Sequence, residues 1–209
     1  MQHEDCNNWD YSKHPDIQTV VDSCTEILKE LSADPLQHQP GLLDTRYLHR
    51  RMFFRTAPQA CPCVAGNYRG SDFDCLRSYM VYFGTNFGTP PTSVSILMED
   101  FHNELSVAVQ QLDAIVEKSS LSKSKAGDLV KVVSVAAAMI TRFFTIHPYA
   151  NGNGHIGRLM VWILLARFNR TPVSWKLHKS PPGYGDLLNL YRAGQKKPLE
   201  RFILQSVIA

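Results

Sequence analysis

The sequence lacks the two features that would place a chain in or across a membrane. It contains no uninterrupted apolar run of about 18 residues, and no basic start followed by a short apolar segment. A spanning helix needs the first feature and a secretory signal needs the second. We therefore expect a soluble, unsecreted chain with a cytoplasmic location, and we leave open its delivery into another cell.

Cysteine is scarce, and the five cysteines are odd in number and unevenly spaced. Structural disulfides need matched pairs in an oxidising compartment, so this set predicts reduced thiols in a reducing compartment. Cys61 and Cys63 flank a proline, but no second pair follows that would complete a metal site. We interpret both as ordinary loop cysteines.

The composition is that of a chain able to bury one sizeable core, since 44% of its 209 residues are hydrophobic. The net charge of +3 conceals an uneven distribution. Acidic residues outnumber basic ones up to residue 117, and basic residues outnumber acidic ones beyond it. A basic half suits an anionic ligand, but two solvated faces of opposite charge explain the pattern equally well.

The spacing of apolar residues predicts a mainly helical chain with one short β element. A polar and loosely ordered start over 1–14 precedes a helical stripe over 17–31, and residues 34–41 have the composition of a linker. We divide the chain at this linker into an N-terminal part, 1–41, and a main domain, 42–209. Further helices are predicted over about 42–56, 94–116, 128–146, 154–168, 184–193 and 198–207, with a hairpin near the aromatic run Ser78–Phe83.

The run from His147 to Arg158 is the most informative stretch, because it combines a titratable base, two glycines and a fixed cation. Pro148 disfavours helical backbone in the residue before it, so the predicted helix should end near His147. The imidazole then faces the following loop. An ordinary histidine pKa of about 6.5 suits removal of a proton from a hydroxyl nucleophile, which makes His147 a candidate general base.

Gly152 and Gly154 flank Asn153 at the predicted start of the next helix. Glycines tolerate positive φ and let a phosphate approach the backbone, and a helix start adds unpaired N–H groups and a positive dipole end. The Asn153 amide can donate a further hydrogen bond. Arg158 lies one helical turn beyond Gly154, where it can reach a terminal phosphate. The run therefore predicts chemistry on a phosphate ester.

Each of these features alone has a common structural explanation, as a helix cap, a tight turn or a solvated cation. A chance match to all six fixed positions of His-Pro-x-x-x-Gly-Asn-Gly-x-x-x-Arg is on the order of one in ten million. We therefore favour a functional interpretation of the whole set.

At these residues the sequence resembles the Fic (Fic/Doc) family, whose signature reads His-Pro-Phe-x-Asp/Glu-Gly-Asn-Gly-Arg-x-x-Arg. The similarity covers about 42–207, because Leu48-His49, Gly66-Asn67-Tyr68-Arg69 and the helices around the motif also fit. The resemblance implies a compact α-helical bundle with a β-hairpin flap. It also implies an enzyme that transfers AMP from ATP to a Ser, Thr or Tyr hydroxyl of a target protein.

The resemblance gives each residue of the motif an expected role. His147 would be the general base, Gly152, Asn153 and Gly154 would cradle the α-phosphate and stabilise its developing charge, and Arg158 would hold the terminal phosphate. The target's chain would bind by strand addition to a flap made of Tyr79, Met80, Val81, Tyr82 and Phe83.

Three positions depart from the family's pattern. The acid that binds Mg²⁺ is Asn151 here, and a neutral amide is a weaker ligand for this ion. The first arginine of the family is His155, which can contact a phosphate but is mostly neutral at pH 7. Tyr149 replaces phenylalanine, a mild change if its hydroxyl finds a partner. We still expect Mg²⁺ as a cofactor, weakly held at Asn151, with ATP as co-substrate.

Autoinhibited members of the family carry a Ser/Thr-x-x-x-Glu-Gly/Asn helix, and this motif does not occur in the sequence. Restraint, where it exists, would then come from a separate inhibitory partner that supplies the glutamate. The other expected partners are a nucleoside triphosphate and the target protein.

Other functions stay open at this point. Asn151 and His155 are compatible with a catalytically weak Fic scaffold that binds nucleotide and a partner protein, or with a relative that transfers another nucleotide or phosphate-linked group. A nucleic-acid binder would rest only on the basic second half, with no recognition motif. Neither nucleic acid nor a membrane is therefore an expected partner.

Overall fold

The structure of the protein, a computed structural model, describes residues 9–83, 86–119 and 126–208. The predicted mainly α fold is confirmed, and the described part also contains a two-stranded antiparallel hairpin. The helices are α1 (Ile17–Ala33), α2 (Pro40–Leu43), α3 (Arg46–Phe53), α4 (Asp74–Arg77), α5 (Pro91–Ser119), α6 (Ala126–Ile146), α7 (Asn153–Ala166), α8 (Tyr184–Arg192) and α9 (Lys197–Ile208), and the strands are β1 (Tyr82–Phe83) and β2 (Asn86–Phe87). Single 3₁₀ turns lie at Tyr11–Lys13, Phe54–Thr56 and Pro62–Val64.

Helix α7 forms the centre of the bundle, as its apolar sequence predicts. Nearly all of its residues are buried, and it packs most extensively against α6. The contact is close at Gly157, because a Cβ there would meet the ring of Phe144 and the side chain of Ile140 on α6. The two helices are joined only by residues 147–152, so their packing fixes both ends of that loop.

The β-hairpin is shorter than the aromatic run predicts. Tyr82 pairs with Phe87, and the N–H of Gly88 donates to the carbonyl of Val81. Tyr79 is not in the strand, because its N–H donates to Leu76 and its carbonyl accepts from the guanidinium of Arg69. The backbone of the predicted strand therefore starts as a turn after α4 and becomes extended only near Tyr82.

Two predictions of local structure are wrong. The helix expected over 42–56 is interrupted at Asp44, whose extended backbone ends α2 and whose carboxylate accepts from the N–H of Arg46 at the start of α3. The linker expected over 34–41 is shorter, since α2 begins at Pro40. An aspartate that caps the following turn has overridden the apolar periodicity here.

The N-terminal residues share the core of the main domain. Trp9, Cys24 and Leu31 are buried in the same hydrophobic cluster as the later helices, and α1 packs against α3 and α7. The expectation of a loosely ordered start is therefore wrong for residues 9–14, while residues 1–8 lie outside the described part. The division of the chain after residue 41 stays a prediction.

The expectation of reduced cysteines stays a prediction. The sulfur atoms of Cys63 and Cys75 lie close together, but their Cα atoms are 7.8 Å apart, which is wider than a disulfide usually spans, and Cys24 is a buried free thiol. The turn at Pro62–Val64 and the start of α4 bring the first two sulfur atoms together. The cytoplasmic location also stays a prediction.

One segment of α6, Gly127–Ile146, is long and apolar enough to cross a membrane by length and composition. Its mean hydropathy is 1.8, and 50% of the window is buried inside the protein. The core helix of a soluble protein meets the same criteria, so the segment is only weak evidence for a membrane.

Replacing Gly157 with alanine is expected to lower the free energy of unfolding. The new Cβ would lie 2.8 Å from the Phe144 ring, and overpacking of a core costs about 1–3 kcal/mol. The matched control is Gly127→Ala, because nothing lies within 4 Å of a Cβ at that position of α6. That control should change the free energy of unfolding by less than about 1 kcal/mol, because Gly127 lies in the first turn of α6. Urea unfolding tests both variants, and equal midpoints would contradict the close contact of α6 with α7.

Candidate active site

His147 lies directly after α6, at the start of the loop that leads to α7. Its N–H still donates to the carbonyl of Phe143, but its backbone has a positive φ of 54°. Such a conformation costs roughly 1–2 kcal/mol in a residue with a side chain, so the surrounding contacts must hold it. Pro148 explains why the helix stops here, as predicted.

His147 lines a cavity of about 370 Å³. The structure thus brings together the predicted base, the three residues of the predicted cradle and four of the five residues of the predicted flap, and it adds two aromatic residues from the N-terminal segment. The other lining residues are Trp9, Tyr11, Tyr79, Met80, Val81, Tyr82, Ala150, Asn151, Gly152, Asn153 and Gly154.

The surroundings of His147 keep its imidazole neutral. Burial, the nearby guanidinium of Arg69 and, more weakly, that of Arg192 on α8 lower its pKa to about 4, against a small opposing effect of a backbone hydrogen bond with Phe144. A neutral imidazole can accept a proton at pH 7 without first having to lose one. The lowered pKa also makes it a weaker base than an ordinary histidine.

Gly152 turns the chain into α7 with a left-handed backbone, at a φ of 76°. A side chain would not fit there, because a Cβ would collide with the ring of Phe53 and crowd His49. The N–H groups of Asn153 and Gly154 follow in the first turn of α7, where an α-helix has no carbonyl of its own to bond. These two groups can donate to an anion in the cavity.

The Asn153 side chain differs from its expected role as a phosphate donor. Its Oδ1 accepts from the N–H of Tyr149 at 2.9 Å, and its Nδ2 donates to the carbonyl of Tyr149 at 2.8 Å. Both polar atoms thus close the loop on itself. The physical reason is that the buried backbone of Tyr149 needs partners and Asn153 provides both. What Asn153 offers the cavity is its backbone N–H.

Arg158 and His155 lie beside the cavity rather than among its lining residues in the described part of the chain. Arg158 is buried and donates through Nε and Nη2 to the carbonyl of Leu177 and through Nη1 to Oγ of Ser180. His155 is buried as well, and burial, more than the nearby charge of Arg158, lowers its pKa to about 3. The structure therefore shows neither side chain directed at the cavity.

Comparison with known proteins identifies the family of this chain. The model of the Fic/DOC family matches residues 42–165, which is more than half of the chain and includes the whole loop between α6 and α7. The chain belongs to the Fic/DOC family. The loop from His147 to Gly152 and the start of α7 are therefore the Fic motif of this protein.

The curated relatives of this Fic chain include proteins named "Protein adenylyltransferase Fic" from three insects. Those of Aedes aegypti and Culex quinquefasciatus are each 29% identical to it over 163 residues. That of Drosophila mojavensis is 27% identical over 162 residues. Each match covers 78% of this chain and 26% of the relative. The chain therefore spans about a quarter of the length of these relatives.

Asn151, the expected Mg²⁺ ligand of the Fic motif, is committed to other contacts. Its Oδ1 accepts from the N–H of Gly152 at 2.8 Å, and its Nδ2 donates to the carbonyl of Trp9 at 3.0 Å. In the described part of the chain, no three His, Cys, Asp or Glu residues form a cluster that could hold a metal ion. Since Mg²⁺ favours carboxylate oxygens, these residues do not fit a protein-held Mg²⁺.

His49 of α3 and Thr45, which directly precedes α3, contact the loop of the Fic motif. The motif alone did not indicate them. His49 stacks on the ring of Tyr149 at 3.8 Å and contacts the carbonyl of Asn151 through Nε2. Its Nδ1 accepts from the N–H of Gly66, so Nε2 carries the proton. Burial lowers the pKa of His49 to about 3, which keeps this tautomer neutral. The Tyr149 hydroxyl bonds Oγ1 of Thr45 at 2.6 Å and so has the partner that its substitution requires.

The N-terminal segment covers the Fic motif from the outside. The hydroxyl of Tyr11 lies 3.3 Å from Nδ1 of His155, and its ring packs on Phe53. Trp9 donates from Nε1 to the carbonyl of Thr56 and lies edge-on to Phe53. Two aromatic residues in an otherwise polar start were the only sequence signal for this contact.

The flap presents both buried and exposed side chains to the cavity. Tyr79 and Val81 are buried, Met80 and Tyr82 are exposed, and the ring of Tyr82 packs against Phe87 across the hairpin at 5.1 Å. The side chain of Phe83 lies outside what the structure describes. An exposed hairpin beside the base is compatible with docking of an extended peptide, and that role stays a prediction.

Replacing Tyr11 with alanine is expected to raise the pKa of His155 from about 3 towards its usual value. Burial is the main cause of the lowered pKa, and Tyr11 provides part of that cover. Tyr11→Phe is the matched control, because it keeps the ring and removes only the hydroxyl. Titration of the histidine Cε1–H signals by NMR measures both variants. An unchanged pKa in Tyr11→Ala would show that Tyr11 does not shield His155.

Proposed function

We propose that this Fic protein is a protein adenylyltransferase, which transfers AMP from ATP to a Ser, Thr or Tyr hydroxyl of a target protein. The observation that carries the proposal is the single cavity shared by His147, the Asn153 and Gly154 N–H groups and the flap. The family and the names of the relatives support adenylyl transfer at the level of the family. The donor, the target and the step at each residue are our inference.

In the proposed reaction, the target hydroxyl attacks the α-phosphorus and forms a new P–O bond. The bond between the α-phosphorus and the oxygen that bridges to the β-phosphate breaks, and pyrophosphate leaves with that electron pair. His147 accepts the proton of the hydroxyl, which its neutral imidazole can do. The N–H groups at the start of α7 stabilise the charge that develops on the α-phosphate.

The two candidate ligands for phosphates beyond the α position, Arg158 and His155, are both in contact with other residues of the protein. In the described structure Arg158 donates to Leu177 and Ser180, and His155 faces Tyr11. We propose that the α-phosphate is held at Gly152, Asn153 and Gly154, and that Arg158 reaches a terminal phosphate only if Ser180 gives up its bond. Because Asn151 does not fit Mg²⁺ alone, no step is assigned to that ion, although a requirement for it remains expected with ATP.

Regulation by a partner is likewise a proposal. Among the residues that the structure describes, Arg158 makes no ion pair with a carboxylate and bonds Ser180 through Nη1 instead. A separate protein that supplies a glutamate would have to displace the contact with Ser180 first.

The second candidate function is a Fic scaffold that binds nucleotide without transferring it. Its support is the commitment of Asn151, His155 and Arg158 to contacts within the protein. The retention of a neutral base in the cavity favours the enzyme instead. Calorimetry separates the two, since the scaffold binds ATP without turnover on any protein.

Replacing His147 with alanine is expected to lower the rate of nucleotide transfer roughly 10²–10⁴-fold, which is the usual contribution of a general base. The assay offers labelled ATP, GTP, CTP and UTP in parallel to a lysate as the target pool, with intact mass of this protein measured as well. His178→Ala is the control, because His178 is exposed and does not line the cavity. A transfer rate unchanged in His147→Ala would rule out the mechanism, and no transfer from any nucleotide would favour the scaffold.

The transfer rate is expected to be constant between about pH 6 and pH 8, provided that no titrating group of the target limits the rate. A general base works when neutral, and a pKa lowered to about 4 keeps His147 neutral throughout that range. Activity should fall only as the pH approaches the lowered pKa. A pH–rate profile of the wild type tests this, and a loss of activity centred near pH 6.5 would contradict it.

A further inference from the structure

Arg69 lies at the centre of a set of contacts that the Fic motif does not include. It is fully buried. Its guanidinium donates to two carbonyls at the end of α6 and to one carbonyl on each side of the β-hairpin. Nε donates to His147 at 2.9 Å, Nη1 to Tyr79 at 3.0 Å, and Nη2 to Thr89 at 3.0 Å and Ile146 at 3.2 Å. The backbone N–H of Arg69 also donates to the carbonyl of Pro148 at 2.8 Å.

These contacts satisfy a buried charge with carbonyl oxygens alone. No ion pair of Arg69 with a carboxylate occurs in the described ranges. Burial lowers the pKa of Arg69 to about 10, which still leaves the guanidinium charged at pH 7. Two of the carbonyls follow each other at the negative end of the α6 dipole, where a cation is stabilised. Only the planar fork of an arginine can donate in all four directions at once.

The four bonds join two parts of the site that are distant in sequence. Tyr79 precedes β1 and Thr89 follows β2, so Arg69 contacts the backbone on both sides of the hairpin that contains the flap. The carbonyl of His147 belongs to a residue that lines the cavity and has a left-handed backbone. A change in either contact moves the flap relative to the imidazole.

We propose that Arg69 is a positioning residue that holds the flap at a fixed position relative to His147. A hydroxyl of a protein docked at the flap then lies within reach of the imidazole. This inference rests on the proposed adenylyl transfer. It predicts that loss of the Arg69 contacts slows nucleotide transfer to a protein more than hydrolysis, because water does not bind at the flap.

The charge of Arg69 has a second, separable effect on the base. Besides burial, the groups that act on the pKa of His147 are Arg69 from the turn before α4, Arg192 from α8 and the backbone of Phe144 within α6. Both cations disfavour the imidazolium form. Loss of either cation should therefore raise the pKa of His147, whereas only loss of Arg69 also releases the flap contacts described above.

The test compares Arg69→Lys, Arg69→Gln and Arg192→Gln with the wild type. Two rates are measured with the nucleotide that the wild type uses: transfer of label to lysate proteins, and release of nucleoside monophosphate to water without lysate. Arg69→Lys keeps the charge but not the fork, so the ratio of transfer to hydrolysis should fall at least about tenfold. The acid limb of the pH–rate profile for hydrolysis, where the rate falls as His147 becomes protonated, should lie at the same pH in Arg69→Lys as in the wild type.

Arg69→Gln should lower the same ratio and also move the acid limb of hydrolysis to higher pH. Arg192→Gln should move the acid limb in the same direction but keep the ratio. A purely structural role would lower both rates together without a change in their ratio. Circular dichroism and thermal unfolding identify any variant that fails to fold, and Arg69→Lys alone decides the question if Arg69→Gln does not fold.

The proposal is overturned if folded Arg69→Lys keeps the wild-type ratio. A failure of the proposed function is recognised separately, because the wild type itself would then show no transfer that depends on His147.

Discussion

The chain has to reverse direction between two packed helices in only six residues, and the site follows from how it does so. Helices α6 and α7 approach closely at Gly157, so the loop from 147 to 152 has no freedom to spread. Asn153 closes the loop by bonding both backbone groups of Tyr149, and Gly152 supplies the left-handed turn. The position of His147 and of the first N–H groups of α7 at one cavity is a consequence of that reversal.

The electrostatics of the site are unusual in that its histidines are neutral and its buried cations face carbonyls. His49, His147 and His155 all have lowered pKa values, mainly because they are buried. Arg69 and Arg158 are buried as well, and both donate to backbone carbonyls. Backbone dipoles, rather than carboxylates, therefore stabilise these two buried cations, and such dipoles do not titrate near neutral pH.

Much of the fold could be predicted from the sequence, because long apolar periods leave little choice. The bounds of α1, α6 and α7 follow from the spacing of their apolar residues and from Pro148. The break at Asp44 could not be predicted in this way, since it depends on a single carboxylate capping the next helix. The membership of the Fic/DOC family was likewise predictable, because its motif is short, contiguous and rich in rare combinations.

The directions of side chains were less predictable than the positions of residues. Sequence order places Arg158 one turn after Gly154, but it cannot show that the guanidinium turns towards Leu177 and Ser180. It also cannot show that Asn153 uses its amide on Tyr149. Both choices depend on contacts between segments that are distant or on backbone groups left unpaired by the loop. The role of Arg69 belongs to the same class, since its four acceptors come from three parts of the chain.

The path of the N-terminal segment has a practical consequence for work with this protein. The carbonyl of Trp9 is bonded to Asn151 and Trp9 lines the cavity, so a change at this residue reaches the site directly. An affinity tag or a fused domain attached close to Trp9 in the sequence is therefore a poor choice. The opposite end of the chain follows α9, which packs against α6 and α8. Attachments made there are the safer choice for binding and activity assays.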